Sequence, residues 1–206
     1  MIERLEEAAG HPVSRETVAL LEDFVRRLKR ANQEQNLVSA STIDSVWDRH
    51  ILDSAQLVRF QPFPTASWID IGSGAGLPGI VIAALVEGSV TLVEPRRLRA
   101  EFLHETVVAL GLSGRVSVHA SKIEKVVGQF HVITARAVAP LGRLLGMAHH
   151  LAHPGTVWAL PKGRNAKIEL AEARRSWQCD ARSEASCTDP DGQILVLSKV
   201  RAKSRR

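Results

Sequence analysis

Apolar positions in the first sixty residues recur at the spacing of a helix. Ser14 can cap a helix with one apolar face, and basic residues crowd its end, where cations suit the helix dipole. The apolar face consists of Val18, Leu21, Val25 and Leu28. Pro62 and Pro64 follow, and proline does not continue a helix. The pattern predicts a helical cap over residues 1–60.

A second helix of this cap is predicted to begin at Ser41, because Asp44 three residues later completes a pattern like a capping box. His50 falls within the apolar stripe of this helix, where a histidine is most often a hydrogen-bonded interface residue. Arg49 and Asp53 are four residues apart, so on a helix they share a neighbouring face and can pair.

From residue 67 onward, apolar runs of strand character alternate with helical patterns. Such alternation predicts a mainly parallel sheet covered by helices on both faces. Strands are expected at 67–71, 90–94, 115–119, 130–134, 155–160 and 193–199. Helices are expected at 77–86, 96–110, 140–150 and 164–175. In this α/β class, ligands bind at the carboxyl ends of the strands.

The first strand runs into a glycine-rich turn that resembles a nucleotide-binding corner. Four glycines, at positions 72, 74, 76 and 79, follow Asp70, and a helical pattern comes next. A dinucleotide fingerprint needs a third glycine at the position of Leu77. The spacing instead resembles the first motif of S-adenosylmethionine-dependent methyltransferases. Glu94 ends the second strand about 22 residues after the first glycine, roughly where a carboxylate binds ribose hydroxyls.

Composition is that of a globular chain with one domain and a large core, since 45% of the 206 residues are apolar. The charged N-terminus lacks the apolar core of a signal peptide, and no apolar run reaches the roughly eighteen residues of a membrane span. We therefore expect a cytoplasmic protein. Cys179 and Cys187 fit neither a disulfide framework nor a zinc site.

The net charge of +5 is concentrated at the C-terminus. Residues 199–206 carry five basic side chains and no acidic one, so the rest of the chain is formally neutral. A basic tail over residues 200–206 suggests a polyanionic partner. A solvated, frayed chain end is the alternative interpretation, and charge alone does not separate the two.

Six segments occur in an order that resembles the RsmG family, also called GidB, bacterial methyltransferases that modify N7 of one guanine in 16S ribosomal RNA. The resemblance extends from about residue 20 to the last predicted strand, and two of the segments, Arg49–Ser54 and the Leu-Pro-Gly ending of the glycine loop, are not general methyltransferase features. The segments are Asn36–Ser39, Arg49–Ser54, Asp70–Gly79, Ser121–Glu124, Ala135–Ala137 and Ala159–Gly163.

The resemblance implies a class I S-adenosylmethionine-dependent methyltransferase, a Rossmann-like α/β fold with a seven-stranded sheet over residues 61–199. It implies methylation of guanosine 527 in the 530 loop, with 16S ribosomal RNA or the small ribosomal subunit as partner. The residues predicted to bind S-adenosylmethionine are Gly72, Gly74, Gly76, Leu77, Glu94, Ile123, Glu124 and Arg136. The residues predicted to bind RNA are Arg49, His50, Lys162, Arg164, Arg201 and Lys203.

No catalytic acid or base is assigned, because guanine N7 carries a free lone pair and no proton. Arg136 could orient either the cofactor carboxylate or the guanine. For the charged residues at strand ends, and for Lys162 and Arg164 beside Gly163, the alternative is an ordinary solvated side chain. No metal site is expected at the histidines 149, 150 and 153, because no carboxylate accompanies them at ligand spacing.

The sequence is compatible with two other classes of function. One is a nicotinamide-dependent oxidoreductase, which Leu77 and the absence of any tyrosine disfavour. The other is a non-enzymatic ribosome-binding or assembly factor on a methyltransferase scaffold, because a fold does not fix a function. An intact glycine loop with three charged residues at strand ends disfavours that second class.

Overall fold

A single seven-stranded sheet organises the computed structural model, which describes residues 1–204. The strands are β1 (Trp68–Ile71), β2 (Val90–Val93), β3 (Val116–His119), β4 (Phe130–Ala135), β5 (Ala152–Lys162), β6 (Trp177–Ala185) and β7 (Gln193–Ala202). Their order across the sheet is β3-β2-β1-β4-β5-β7-β6. The first five strands are parallel, whereas β7 is antiparallel to both of its neighbours.

Helices cover both faces of the sheet, and four of them follow the strands where they were predicted. In the cap these elements are α1 (Ile2–Ala9), α2 (Arg15–Gln35), α3 (Ala40–Ile43), a π-helical turn (Trp47–Leu52), α4 (Asp53–Ala55) and a 3-10 turn (Gln56–Phe60). Between the strands they are α5 (Gly79–Leu85), α6 (Arg97–Ala109), a 3-10 turn (Ile123–Lys125), α7 (Leu141–Ala148), a 3-10 turn (His149–Leu151) and α8 (Ala166–Ala173). Among the described residues, none of these helices combines the length and apolar composition that crossing a membrane requires.

Strand order reverses between β1 and β4, and this switch point determines where a ligand can bind. The two strands stay paired to their carboxyl ends, and the connections that follow them leave to opposite faces of the sheet, which opens a crevice at this point. Every residue of β1 and β2 is buried, as expected for central parallel strands. All six predicted strands are present in the sheet. The edge strand β6 was not predicted, because its half-buried and exposed residues form no apolar run.

The start of the second cap helix and the pairing of its side chains were predicted incorrectly. The helix begins after Ser39 rather than at Ser41, because the Thr42 amide bonds the Ser39 carbonyl. The following segment is wound as a π-helix, in which side chains four residues apart no longer stack. Arg49 therefore does not pair with Asp53.

The cap packs directly on the glycine loop, Gly72–Gly79. Phe24 of α2 is fully buried, and a Cβ built on Gly76 would lie 3.3 Å from its ring. One hydrophobic cluster joins residues of α1 and α2 with residues of α5 and β2. The cap and the sheet therefore share a core, which ties the conformation of the loop to the presence of the cap.

The predicted basic tail begins later than residue 200, because β7 continues to Ala202. The unpredicted strand β6 supplies the partner, and Trp177 and Gln178 pair with Ala202 and Arg201. Arg205 and Arg206, which complete the predicted tail, lie outside the described residues. A role of the tail in binding RNA stays a prediction.

Asp70 joins the two ends of the glycine loop. Its Oδ2 accepts a hydrogen bond from the Gly79 amide at 3.1 Å, and a Cβ on Gly79 would lie only 2.6 Å from that oxygen. Asp70 is 1% exposed, and burial raises the pKa of its carboxyl group to about 7. The close approach of strand and helix therefore requires glycine at position 79.

We expect Phe24→Ala to lower the free energy of unfolding by about 3–5 kcal/mol, because it leaves a cavity in the shared core. Urea unfolding followed by tryptophan fluorescence should show one transition, since Trp47 reports on the cap and Trp158 on the sheet. Leu98→Ala is the control, because Leu98 is 54% exposed and its removal should change stability by less than about 0.5 kcal/mol. Two separate transitions in the wild-type protein would contradict the shared core.

Asp70 should make stability fall as pH rises. Between its unfolded value of 3.8 and its folded value of about 7, the folded protein holds a proton that the unfolded chain has lost. The stabilisation is complete below pH 3.8 and is lost as pH rises through about 7. Relative to Asp70→Asn, the free energy of unfolding of the wild-type protein should fall by up to about 1.4 kcal/mol per pH unit in this range. A constant difference between the two proteins would contradict the assignment.

Candidate active site

A crevice of about 440 Å³ lies at the carboxyl ends of β1 and β2. Four of the residues predicted to bind cofactor line this crevice, Gly72, Glu94, Ile123 and Glu124. Its further lining residues are Ile71, Val93, Pro95, Arg96, Arg99, Lys122, Ala137, Val138, Arg143 and Met147. The topology thus brings the glycine loop, the acid after β2 and the turn after β3 together at the switch point.

Glu94 is fixed in this crevice by two backbone donors. Its Oε2 accepts from the Gly74 amide and its Oε1 from the Arg96 amide, each at 2.9 Å, and the residue is 4% exposed. A carboxylate has about four lone-pair sites, so two acceptor positions are left. This arrangement suits the two neighbouring hydroxyls of a ribose, which are donors.

Gly72 lets the loop approach the segment that follows β4. Its φ of 68° is a left-handed conformation, and a Cβ at this position would lie 2.7 Å from Cγ2 of Val138. Ala137 next to it also has a positive φ, of 56°. Any side chain at position 72 would therefore push Val138 out of the wall of the crevice.

The other predicted loop residues shape the crevice without lining it. The Leu77 side chain is buried in the hydrophobic core, Gly76 faces Phe24, and Gly74 donates its amide to Glu94. Direct contact of these three residues with a cofactor stays a prediction. These residues were predicted from the glycine spacing, and that spacing reflects the backbone conformation of the loop.

A second cavity of about 490 Å³ adjoins the crevice and shares Ala137 and Val138 with it. It is bounded by the ends of β4 and β5 and by the connection between β6 and β7. Its charged and polar side chains belong to Asp53, Arg136, Lys162, Glu169, Ser186, Asp189 and Gln193. The lining thus contains three carboxylates and two cationic groups, and this balance of charge gives no preference for an anionic ligand.

Arg136 lies in this second cavity and not in the crevice. Its Nη1 donates to Asp53 Oδ2 and to His50 Nδ1, both at 3.3 Å. Burial, with a contribution from the Arg136 charge, lowers the pKa of His50 to about 4, so the ring is neutral. Its Nδ1 is then the acceptor, and Nε2–H donates to Thr42 Oγ1 at 3.0 Å. Contact of Arg136 with the cofactor stays a prediction.

The remaining predicted RNA-binding residues fall into two groups. Arg49 and Lys162 lie around the second cavity, where Arg49 Nη1 is 3.6 Å from Asp189 and Lys162 Nζ is 2.8 Å from Glu169. Arg164 is exposed just beyond β5. In contrast, Arg201 and Lys203 lie at the end of β7 that is far from the cavity, because the strand extends over about 26 Å between Gln193, which lines the cavity, and Arg201.

The three clustered histidines point to different partners. His149 bonds the Val200 carbonyl, His150 bonds the Val126 carbonyl, and His153 accepts from the Gly155 amide. Within residues 1–204, no group of three histidine, cysteine or acidic side chains has the geometry of a metal site.

Two parts of the second cavity were not identified from the sequence. Asp53 was seen only as a neighbour of Arg49, although it lies within the Arg49–Ser54 segment that marked the family. The segment from Ser186 to Asp189 gave no signal, because it connects to the unpredicted strand β6.

The family model described as rRNA small subunit methyltransferase G matches residues 17–194. The protein named ribosomal RNA small subunit methyltransferase G of Zymomonas mobilis is 45% identical over 203 residues, which cover 94% of this chain and 91% of the relative. The protein of the same name from Rhizorhabdus wittichii is 46% identical over 196 residues, covering 94% and 90%.

Solved structures with similar folds include methyltransferases. An O-methyltransferase from Bacillus cereus in complex with SAH has a TM-score of 0.61 at 16% identity, covering 88% of this chain and 91% of that one. A ribosomal protein L11 methylase from Lactobacillus delbrueckii has a TM-score of 0.57 at 19% identity, covering 73% and 78%.

These matches confirm the predicted class I methyltransferase fold and S-adenosylmethionine as the cofactor. Because the family model and both relatives extend over most of its length, the chain belongs to the GidB family, rRNA small subunit methyltransferase G.

Proposed function

We propose that this protein methylates N7 of a guanine in 16S ribosomal RNA, with guanosine 527 of the 530 loop as the target. The observation that carries the proposal is the shared wall, Ala137 and Val138, between the crevice and the second cavity. Because the two cavities adjoin at these residues, a methyl donor in one and an acceptor base in the other can come into contact there. The relatives named above are ribosomal RNA methyltransferases, which supports RNA as the source of the base.

In the crevice, Glu94 would bind the ribose hydroxyls of S-adenosylmethionine, and the Gly72 backbone would lie close to the cofactor. Ile123 and Glu124, after β3, would bound the adenine side of the site. When bound, the cofactor supplies a methyl group on a positively charged sulfur. The protein contributes the position of that group and excludes water from it.

The second cavity suits a guanine acceptor. Guanine offers both donors and acceptors, and the cavity offers carboxylates as well as cations. Methylation at N7 leaves a positive charge on the ring, which three carboxylates against two cations would stabilise. No general base is needed, and the carboxylate of Asp53 is already occupied by Arg136.

Contacts to the RNA backbone would come from Arg49, Lys162 and Arg164 around the cavity mouth, because guanidinium and ammonium groups position phosphates. A ribosomal RNA substrate places the protein in the cytoplasm.

We expect the purified protein to transfer the methyl group of S-adenosylmethionine to small-subunit RNA that contains guanosine at position 527. RNA with 7-deazaguanosine at this single position should accept no methyl group, because a C–H replaces the nucleophilic nitrogen. The measurement is radiolabel incorporation, followed by mass spectrometry of the nucleosides.

The assay should be run on naked 16S RNA, on a partly assembled subunit and on the mature subunit. Continued methylation of the 7-deaza RNA would show that another atom or nucleotide is the acceptor. No transfer to any of the three substrates would instead favour a non-enzymatic ribosome-binding factor.

A further inference from the structure

The carboxylate of Asp53 bridges three segments of the chain around the second cavity. Asp53 belongs to the cap, at the end of the π-helical turn. Its Oδ2 is 3.3 Å from Arg136 Nη1, at the end of β4. Its Oδ1 accepts from Thr188 Oγ1 at 3.0 Å and, more weakly, from Ser186 Oγ at 3.5 Å, both in the connection between β6 and β7.

The neighbouring Gln56 extends this bridge. It is 2% exposed, its Oε1 accepts from the Cys187 amide at 2.9 Å, and its Nε2 donates to Ser186 Oγ at 3.1 Å. The same Nε2 donates to Asp53 Oδ1 at 2.9 Å. The segment that closes one side of the cavity is therefore held by two cap residues.

Most of the hydrogen-bonding capacity of the Asp53 carboxylate is used within the protein. Its Oδ1 has up to three donors, and its Oδ2 faces the guanidinium. Arg136, in contrast, has unused hydrogen-bond donors, because only its Nη1 is hydrogen-bonded among the described residues. A guanidinium has five N–H donors, so most of those on Arg136 are available to a ligand of the cavity.

The ion pair between Asp53 and Arg136 is partly buried and can therefore determine how the guanidinium is oriented. Its side chains are only 22% and 19% exposed, so solvent screens the attraction between them incompletely. The neutral ring of His50 packs beside the guanidinium and does not compete for the carboxylate. The orientation of Arg136 therefore depends on Asp53.

We infer that Asp53 is a positioning residue, which aims the free N–H groups of Arg136 at the acceptor nucleotide and holds the segment Ser186–Asp189 against it. The acceptor atoms that suit these donors are O6 of the guanine or an oxygen of its phosphate. This inference rests on the proposed function for its substrate, and on the hydrogen bonds alone for its geometry.

Asp53→Asn removes the charge facing Arg136 and keeps the size of the side chain. We expect the kcat/KM for RNA methylation to fall about 30- to 100-fold, because displacement of a substrate-positioning group by an ångström has effects of that order. The Kd for S-adenosylmethionine should stay within about twofold, since Asp53 lines only the second cavity. The control is Asp48→Asn. Asp48 lies in the π-helical turn that precedes Asp53, and its ion pair with Arg4 is exposed. Removing this pair should leave kcat/KM within about twofold of wild type.

A double-variant cycle separates positioning from a general structural role. If Asp53 acts through Arg136, Asp53→Asn should lower kcat/KM by no more than about threefold in the Arg136→Gln background. Equal losses in both backgrounds, or wild-type kcat/KM in Asp53→Asn, would overturn the inference. So would a matching loss of S-adenosylmethionine affinity, which would show that Asp53 orients Arg136 toward the cofactor and not toward the acceptor nucleotide.

Hydrogen exchange tests the geometry even if the wild-type protein methylates no RNA. Asp53→Asn should raise the exchange rate of the Cys187 and Thr188 amides by about tenfold or more, with little change in β1. An inactive wild type with this response would refute the proposed function and keep the structural role of Asp53. Unchanged exchange at both amides would overturn that role as well.

Discussion

The structure depends on one close approach, that of the glycine loop to the segment after β4. A side chain at position 72 would collide with Val138, which forms the wall between the crevice and the second cavity. Hydrogen bonds from Gly79 to Asp70 and from Gly74 to Glu94 then fix the loop in this position. The same backbone path therefore creates both cavities and keeps them adjacent, which is the geometry that a group transfer needs.

The helical cap supports this arrangement from two directions. Phe24 packs behind the loop in the shared core, and Asp53 pairs with Arg136 in the lining of the second cavity. Asp53 directly follows the π-helical turn and pairs with Arg136, whereas Arg49 within the turn pairs with Asp189. The cap is thus a structural part of the site.

Much of the fold was accessible from the sequence, because central parallel strands and their helices have strong apolar patterns. The glycine spacing and Glu94 likewise located the crevice, since both are local features of the chain. The strand β6 was missed because an edge strand with exposed polar side chains has no such pattern. The contacts of Asp53 were missed for a different reason, because they join residues more than 80 positions apart and a π-helical turn breaks the four-residue rule.

The central claim is that the crevice binds S-adenosylmethionine through Glu94. Calorimetric titration with S-adenosylmethionine, and separately with NAD, tests this claim most directly. The account predicts binding of S-adenosylmethionine alone, weakened about tenfold or more in Glu94→Gln, which loses a charged acceptor, and unchanged in the exposed control Glu101→Gln. Binding of NAD, or equal affinity of Glu94→Gln and wild type for S-adenosylmethionine, would contradict it.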